Sequence, residues 1–156
     1  MNFEKLTRKS AEAINFARDE AMRRSNASVE AAHIIFALFC DKEGLAAELC
    51  RAAGADTAKI KDGIDKLLGA LPRISGSGYS ADKLFLSPEG ERLLLEADAQ
   101  REKMKDEYLS SEHILLASFN IKNTKIEGVY REAGLAENKL KEALKKIRGN
   151  TRVTNE

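Results

Sequence analysis

A chain that repeats itself at a fixed offset can fold only in ways that treat its copies alike. Sliding this sequence against itself by 80 positions aligns residues 6–68 with 86–148 without a gap. AHIIFALF at 32–39 falls on EHILLASF at 112–119, pairing His33 with His113, Ile34 with Ile114, Ala37 with Ala117 and Phe39 with Phe119. Ala53-Gly54 falls on Ala133-Gly134, and Lys59, Lys61 and Lys66 fall on Lys139, Lys141 and Lys146. The matched apolar positions are those a core requires. A unit of this size is marginal alone, so packing two copies would bury the face that neither covers by itself.

The local signals within each copy are helical, which predicts an all-α fold of two pseudo-twofold-related four-helix repeats, eight helices in all. Thr7 and Ser87 are N-cap types, and Pro88 suits the first helical position. Long helices are expected at about 8–24 and 88–105. Their inner stripes are Ala13, Ile14, Ala17, Ala21 and Leu93, Leu94, Ala97, Met104. Second helices carry the repeated octet, at about 30–40 and 111–120. Third helices end at Ala53 and Ala133, each before a glycine placed for a left-handed cap. Thr124 and Glu127 have the spacing of a capping box opening the third helix of copy two. Fourth helices span about 57–68 and 137–148, and no segment alternates with period two. We read residues 1–148 as one domain, with repeats at 6–68 and 86–148. A Gly/Ser-rich linker joins them at 69–85, and a second linker begins at 149–156.

Composition excludes several classes. With 26 basic and 25 acidic residues, the net charge of +1 argues against a nucleic-acid binder. The apolar runs fall far short of the ~20 residues a membrane span needs, and MNFEKLTRKS has no secretory h-region. The expectation is a cytoplasmic, monomeric module with no membrane partner. Cys40 and Cys50 form no CxxC pair and read as reduced, buried or half-buried thiols.

Chemistry-bearing motifs are sparse. The chain holds no GxxxxGK[ST], HExxH or GxSxG. The expectation is no catalytic residue, no metal and no cofactor in this segment. His33 and His113 lack companion ligands, and each reads as a helix-start histidine bonded to backbone at the edge of its unit. The lysines of the last helix alternate with Glu137 and Glu142, as on a solvated face. Asp106, Glu107 and Glu112 lack a nucleophile and an oxyanion donor, so a partner-contacting rim fits them better than an acid pair.

KDEYLSSEHILLA at 105–117, its weaker twin at 25–37, the paired Ala-Gly helix ends and LPRISG at 71–76 resemble the Clp N-terminal repeat domain. The ending IRGNTRVTNE resembles the join to the first ATPase ring of ClpB-type disaggregases. The resemblance implies a substrate-recognition module of an ATP-dependent disaggregase or unfoldase chaperone, with ATP and Mg confined to an ATPase region outside this segment. It implies unfolded or aggregated polypeptides as partners, a DnaK-type chaperone or adaptor acting through a hexameric parent, and an apolar groove for substrate. The alternative it leaves is an adaptor-docking domain of a ClpC- or ClpA-type unfoldase.

Carried over by position, the substrate-binding residues are Thr7, Leu94, Asp106, Glu112 and His113. His113 stands where the family also places an apolar residue, and copy one has Ala31-Ala32 where a Glu often precedes the His. Binding is therefore expected to be one-sided and centred on copy two. Leu93–Leu95 cannot all face one narrow stripe, so one of them is expected to edge the groove. A catalytic or ligand-sensing domain is a third reading, weakened by the lack of convergent polar groups.

Overall fold

The computed structural model describes residues 3–75, 84–149 and 154. After a short 3-10 turn at Phe3–Lys5, eight α-helices follow: α1 Arg8–Arg23, α2 Ala31–Cys40, α3 Leu45–Ala52 and α4 Thr57–Gly69 in one half. The other half holds α5 Pro88–Lys103, α6 Ser111–Ala117, α7 Thr124–Glu132 and α8 Glu137–Arg148. No strand forms among the described residues, as the sequence predicts. Residues 76–83 of the linker expected at 69–85, and most of 149–156, lie outside the described residues.

Four helices end in one way, and the local chemistry explains it. Beyond α1 and α5, Ser25 and Lys105 adopt left-handed φ of 56° and 60°. The next amides, of Asn26 and Asp106, donate back to the carbonyls of Ala21 and Arg101 at 2.9 and 3.1 Å. These are Schellman caps. Gly54 and Gly134, at φ 85° and 79°, close α3 and α7 likewise. The start of α7 departs from expectation. Asn123, not Thr124, is its cap, and its side chain accepts from the amides of Lys125 and Ile126. Thr124 is already inside the helix, so Thr124 and Glu127 form no capping box. Helix α6 stops at Ala117 rather than 120. The hydroxyl of Ser118 donates back to the Leu115 carbonyl, a bond that competes with further helix.

The two halves are joined by reciprocal backbone pairs. The Thr7 amide donates to the Leu109 carbonyl and the Ser87 amide to Val29, both at 2.9 Å. Leu109 donates to Lys5, and Val29 to Phe85. Each bond maps onto its mate by the offset of 80, giving two isolated bridges, Leu6 with Leu109 and Val29 with Leu86. Helix α4 packs on α7, α3 on α8 and α2 on α5. The α4–α7 approach is close: a Cβ on Gly63 would lie 2.7 Å from Val129 Cγ1.

The octet helices form the centre. Residues His33–Phe39 and His113–Ala117 are all buried, and burying each large apolar side chain stabilises by roughly 1.5–3 kcal/mol. Cys40 is half-buried and Cys50 buried, both as free thiols.

Candidate functional site

The equivalent helix starts, at α2 and α6, hold similar histidines in unlike surroundings. The amides of Glu30 and Ser110 donate to Nδ1 of His33 and His113 at 2.9 and 2.8 Å. A nitrogen that accepts carries no proton, so Nε2 carries it on each ring. The Schellman caps then deliver the acceptors: His33 Nε2 donates to Asn26 Oδ1 at 2.8 Å, and His113 Nε2 to Asp106 Oδ2 at 2.7 Å. Both rings are wholly buried rather than at an edge. Burial lowers the pKa of His33 to about 4 and lowers that of His113 against the opposing pull of Asp106.

Copy one places Glu30 at the start of its helix, and copy two adds a buried carboxylate pair and a cation. Three positions differ together: Asn26 against Asp106, Ala32 against Glu112, and Leu68 against Arg148. The Asp106 side chain is 0% and that of Glu112 3% exposed. Arg148, the last residue of α8, donates to both oxygens of Asp106 at 2.8 and 2.6 Å and to Glu112 Oε2 at 3.3 Å. Ser110 Oγ donates to Glu112 Oε1 at 2.8 Å, and Arg101 donates to the Asp106 carbonyl at 2.8 Å. Hydrogen bonding to Asp106 raises the Arg148 pKa further.

Ser110, His113 and Asp106 superficially resemble a nucleophile, base and acid. The wiring opposes that use. The Ser110 proton is committed to Glu112, the Nδ1 lone pair receives a backbone amide, and all three residues are buried. The arrangement is a clamp tying the start of α6 to the ends of α5 and α8. No group of three or more His, Cys, Asp or Glu with metal-binding potential occurs among the described residues.

Glu112 also borders a cleft of about 870 Å³. Its walls are the start of α1, the end of α2, the start of α3 and the first residues of α6, and Thr7 and Glu112 both line it. Phe16, Leu38 and Leu45 contribute apolar lining, and Glu12, Asp41, Glu43 and Glu112 outnumber the cations Arg8 and Lys9. Phe16 is 40% exposed. The far wall is a turn that needs Gly44, where a Cβ would fall 2.8 Å from Asp41 Oδ2. In the other half, the positions equivalent to cleft residues Lys9 and Glu43 are Glu89 and Asn123. Asn123 donates to Glu89 at 3.0 Å across the counterpart of this cleft.

Of the five residues expected to bind substrate, Thr7 and Glu112 are thus brought together at the cleft. Asp106 and His113 are buried and bonded to each other, and Asp106 shares Arg148 with Glu112. Leu94 is 1% exposed, and the exposed member of the leucine run is Leu95, at 56%. Thr7 spends its oxygen as the α1 cap, accepting from the Ser10 amide at 3.1 Å. The cleft is formed mostly by copy one, whereas the sequence reading centred it on copy two. Phe16, Leu45 and Arg148 carried no motif. The joint change at 26/106, 32/112 and 68/148 was the signal available for Arg148.

Known proteins share this architecture and sequence. The chain is 31% identical over its whole length to the chaperone protein ClpB of Bacillus anthracis, of which it spans 18%. The structure matches the Hsp104 N-terminal domain of Candida albicans with a TM-score of 0.83 and 21% identity, covering 97% of this chain and 96% of that one. It also matches a ClpV N-domain solved in complex with a VipB peptide, with a TM-score of 0.67 and 19% identity, covering 97% and 91%. The model of the Clp repeat (R) N-terminal domain matches residues 5–133. With the duplicated four-helix unit and its reciprocal bridges, this match makes the chain a member of the Clp repeat N-terminal domain family.

Proposed function

We propose that the chain is the substrate-recognition module of an ATP-dependent disaggregase or unfoldase, and that the α1–α2–α3 cleft takes an exposed segment of an unfolded polypeptide. The carrying observation is the cleft itself: apolar lining with a partly exposed Phe16, more acidic than basic side chains around it, and a counterpart bridged by Asn123 and Glu89. Its size falls within the range of sites that enclose a ligand segment. The peptide complex of a ClpV N-domain supports a peptide-binding role for the fold. Thr7 and Glu112 form the wall, Asp106 bonds His113 and shares Arg148 with Glu112, and Leu94 supports the core beneath. On the resemblance to ClpB, ATP and Mg belong to an ATPase region outside this segment, in a hexameric, cytoplasmic parent. A DnaK-type chaperone would act through that parent.

Titration of casein, a natively unfolded polypeptide, tests the reading by NMR. Phe16→Ser should weaken binding by about 5- to 30-fold, the ~1–2 kcal/mol expected of an aromatic contact. Phe85→Ser, at a residue 71% exposed and absent from the cleft lining, should leave binding unchanged. Equal binding by Phe16→Ser and wild type refutes the cleft. Binding of a folded adaptor with none of casein favours the docking reading.

A further inference from the structure

Arg148 serves two carboxylates unequally. Asp106 takes both of its amino groups at 2.6 and 2.8 Å, while Glu112 receives one at 3.3 Å. The shared cation therefore neutralises Asp106 more fully than Glu112. Glu112 is also the charged member of this network that borders the cleft, beside Ser110. Its second oxygen is held by Ser110, which fixes where the carboxylate points. In the other half Ala32 and Leu68 stand in place of Glu112 and Arg148, and the charges acting on His33 are those of Glu30, Arg24 and Glu20.

We propose that Arg148 is a positioning residue of the cleft. It holds Glu112 in the wall and screens part of its charge, which sets how strongly the cleft favours a segment carrying a cationic side chain. This rests on the cleft reading given above. Glu12, Asp41 and Glu43 carry the same sign as Glu112 and outnumber the lining cations Arg8 and Lys9, so the cleft as a whole favours a cationic side chain. Removing Arg148 while keeping Glu112 exposes the full carboxylate charge to the cleft. Glu112 is 3% exposed and meets a ligand cation across an open, wet cleft, where such an attraction is typically below about 1 kcal/mol, or about two- to five-fold in affinity.

The test uses the 156-residue chain and two short synthetic leucine-rich peptides, one with a central lysine and one with glutamine in its place. Arg148→Leu should raise the lysine-to-glutamine affinity ratio about two- to five-fold. Arg148→Lys, which keeps the charge, should hold the ratio near that of wild type. A purely structural role would weaken both peptides together and leave the ratio unmoved, which overturns the proposal. Binding of neither peptide by any of the three proteins overturns the cleft reading and, with it, the role of Arg148 in specificity.

A second readout needs no ligand. His113 is faced by Asp106, by Glu112 on its own helix and by Arg148 from α8, and Arg101 of α5 bonds the Asp106 carbonyl. Arg148 disfavours a proton on the ring. The His113 pKa followed by NMR should therefore rise in Arg148→Leu and stay near wild type in Arg148→Lys. An unmoved His113 in Arg148→Leu overturns the electrostatic link.

Discussion

Replacing Arg148 with leucine should destabilise the fold far more than its place at the end of a helix suggests. Its side chain is 13% exposed and pairs with carboxylates 0% and 3% exposed. Removing one partner of such a buried group leaves an uncompensated charge, which costs about 3–5 kcal/mol. Leucine returns part of this by burying apolar surface, and neutral His113 can take a proton to offset Asp106. The net expectation is about 3 kcal/mol at pH 8, or a Tm lower by about 6–12 °C in a chain of this length. The loss should shrink towards pH 5, where His113 protonates more readily. Copy one does without these three charges, with Asn26, Ala32 and Leu68 in the same places. The triple variant Asp106→Asn, Glu112→Ala, Arg148→Leu should therefore recover to within about 1 kcal/mol of wild type. Urea unfolding of the wild type, the single variant and the triple variant measures both quantities. The reasoning is refuted if the single variant loses less than about 1 kcal/mol. It is refuted equally if the triple variant is no more stable than the single.

Three other outcomes follow from particular contacts. Gly63→Ala forces a Cβ to within 2.7 Å of Val129 and should cost about 1–3 kcal/mol; Val129→Ala should return most of this in a double-mutant cycle, and additive losses would contradict the contact. His33 has its pKa lowered to about 4 by burial, so the unfolded chain binds the extra proton between about pH 6.5 and 4. Its contribution of roughly 3 kcal/mol is present above pH 6.5 and lost as pH falls through 4, and His33→Gln should flatten that part of the stability–pH curve. Burial raises the Cys50 thiol to about 12 and also raises Cys40, which borders the cleft; a thiol reagent at pH 8 should modify Cys40 first and Cys50 only on unfolding, and equal native rates would show the α3 core to be open.

The helix ends show how much local sequence carries. Gly54 and Gly134 announce their caps because glycine alone reaches the left-handed region without cost. Ser25 and Lys105 adopt the same conformation with no such mark, because the rest of the Schellman motif and the bridge beyond it hold them there. That unmarked cap is what aims Asn26 and Asp106 at the histidines. Asn123 outcompeted Thr124 as the α7 cap because its longer side chain reaches two amides at once.

The offset of 80, the apolar octet and the cap residues determined by themselves an all-helical duplicated fold, since periodicity and capping act within a few residues along the chain. Thr7 and Glu112 could be singled out by resemblance. Their meeting at one cleft depends on the residues before α1 pairing with those before α6 of the other half, through the Thr7–Leu109 bond. Which leucine is exposed was decided by rotation of α5 against α6, which buries Leu93 and Leu94 and leaves Leu95 outside. Arg148 reads as one more basic residue in a lysine-rich helix until the fold sets it beside two carboxylates 42 and 36 positions away. Charge pairing depends on distance in space, and only the packed chain defines that distance.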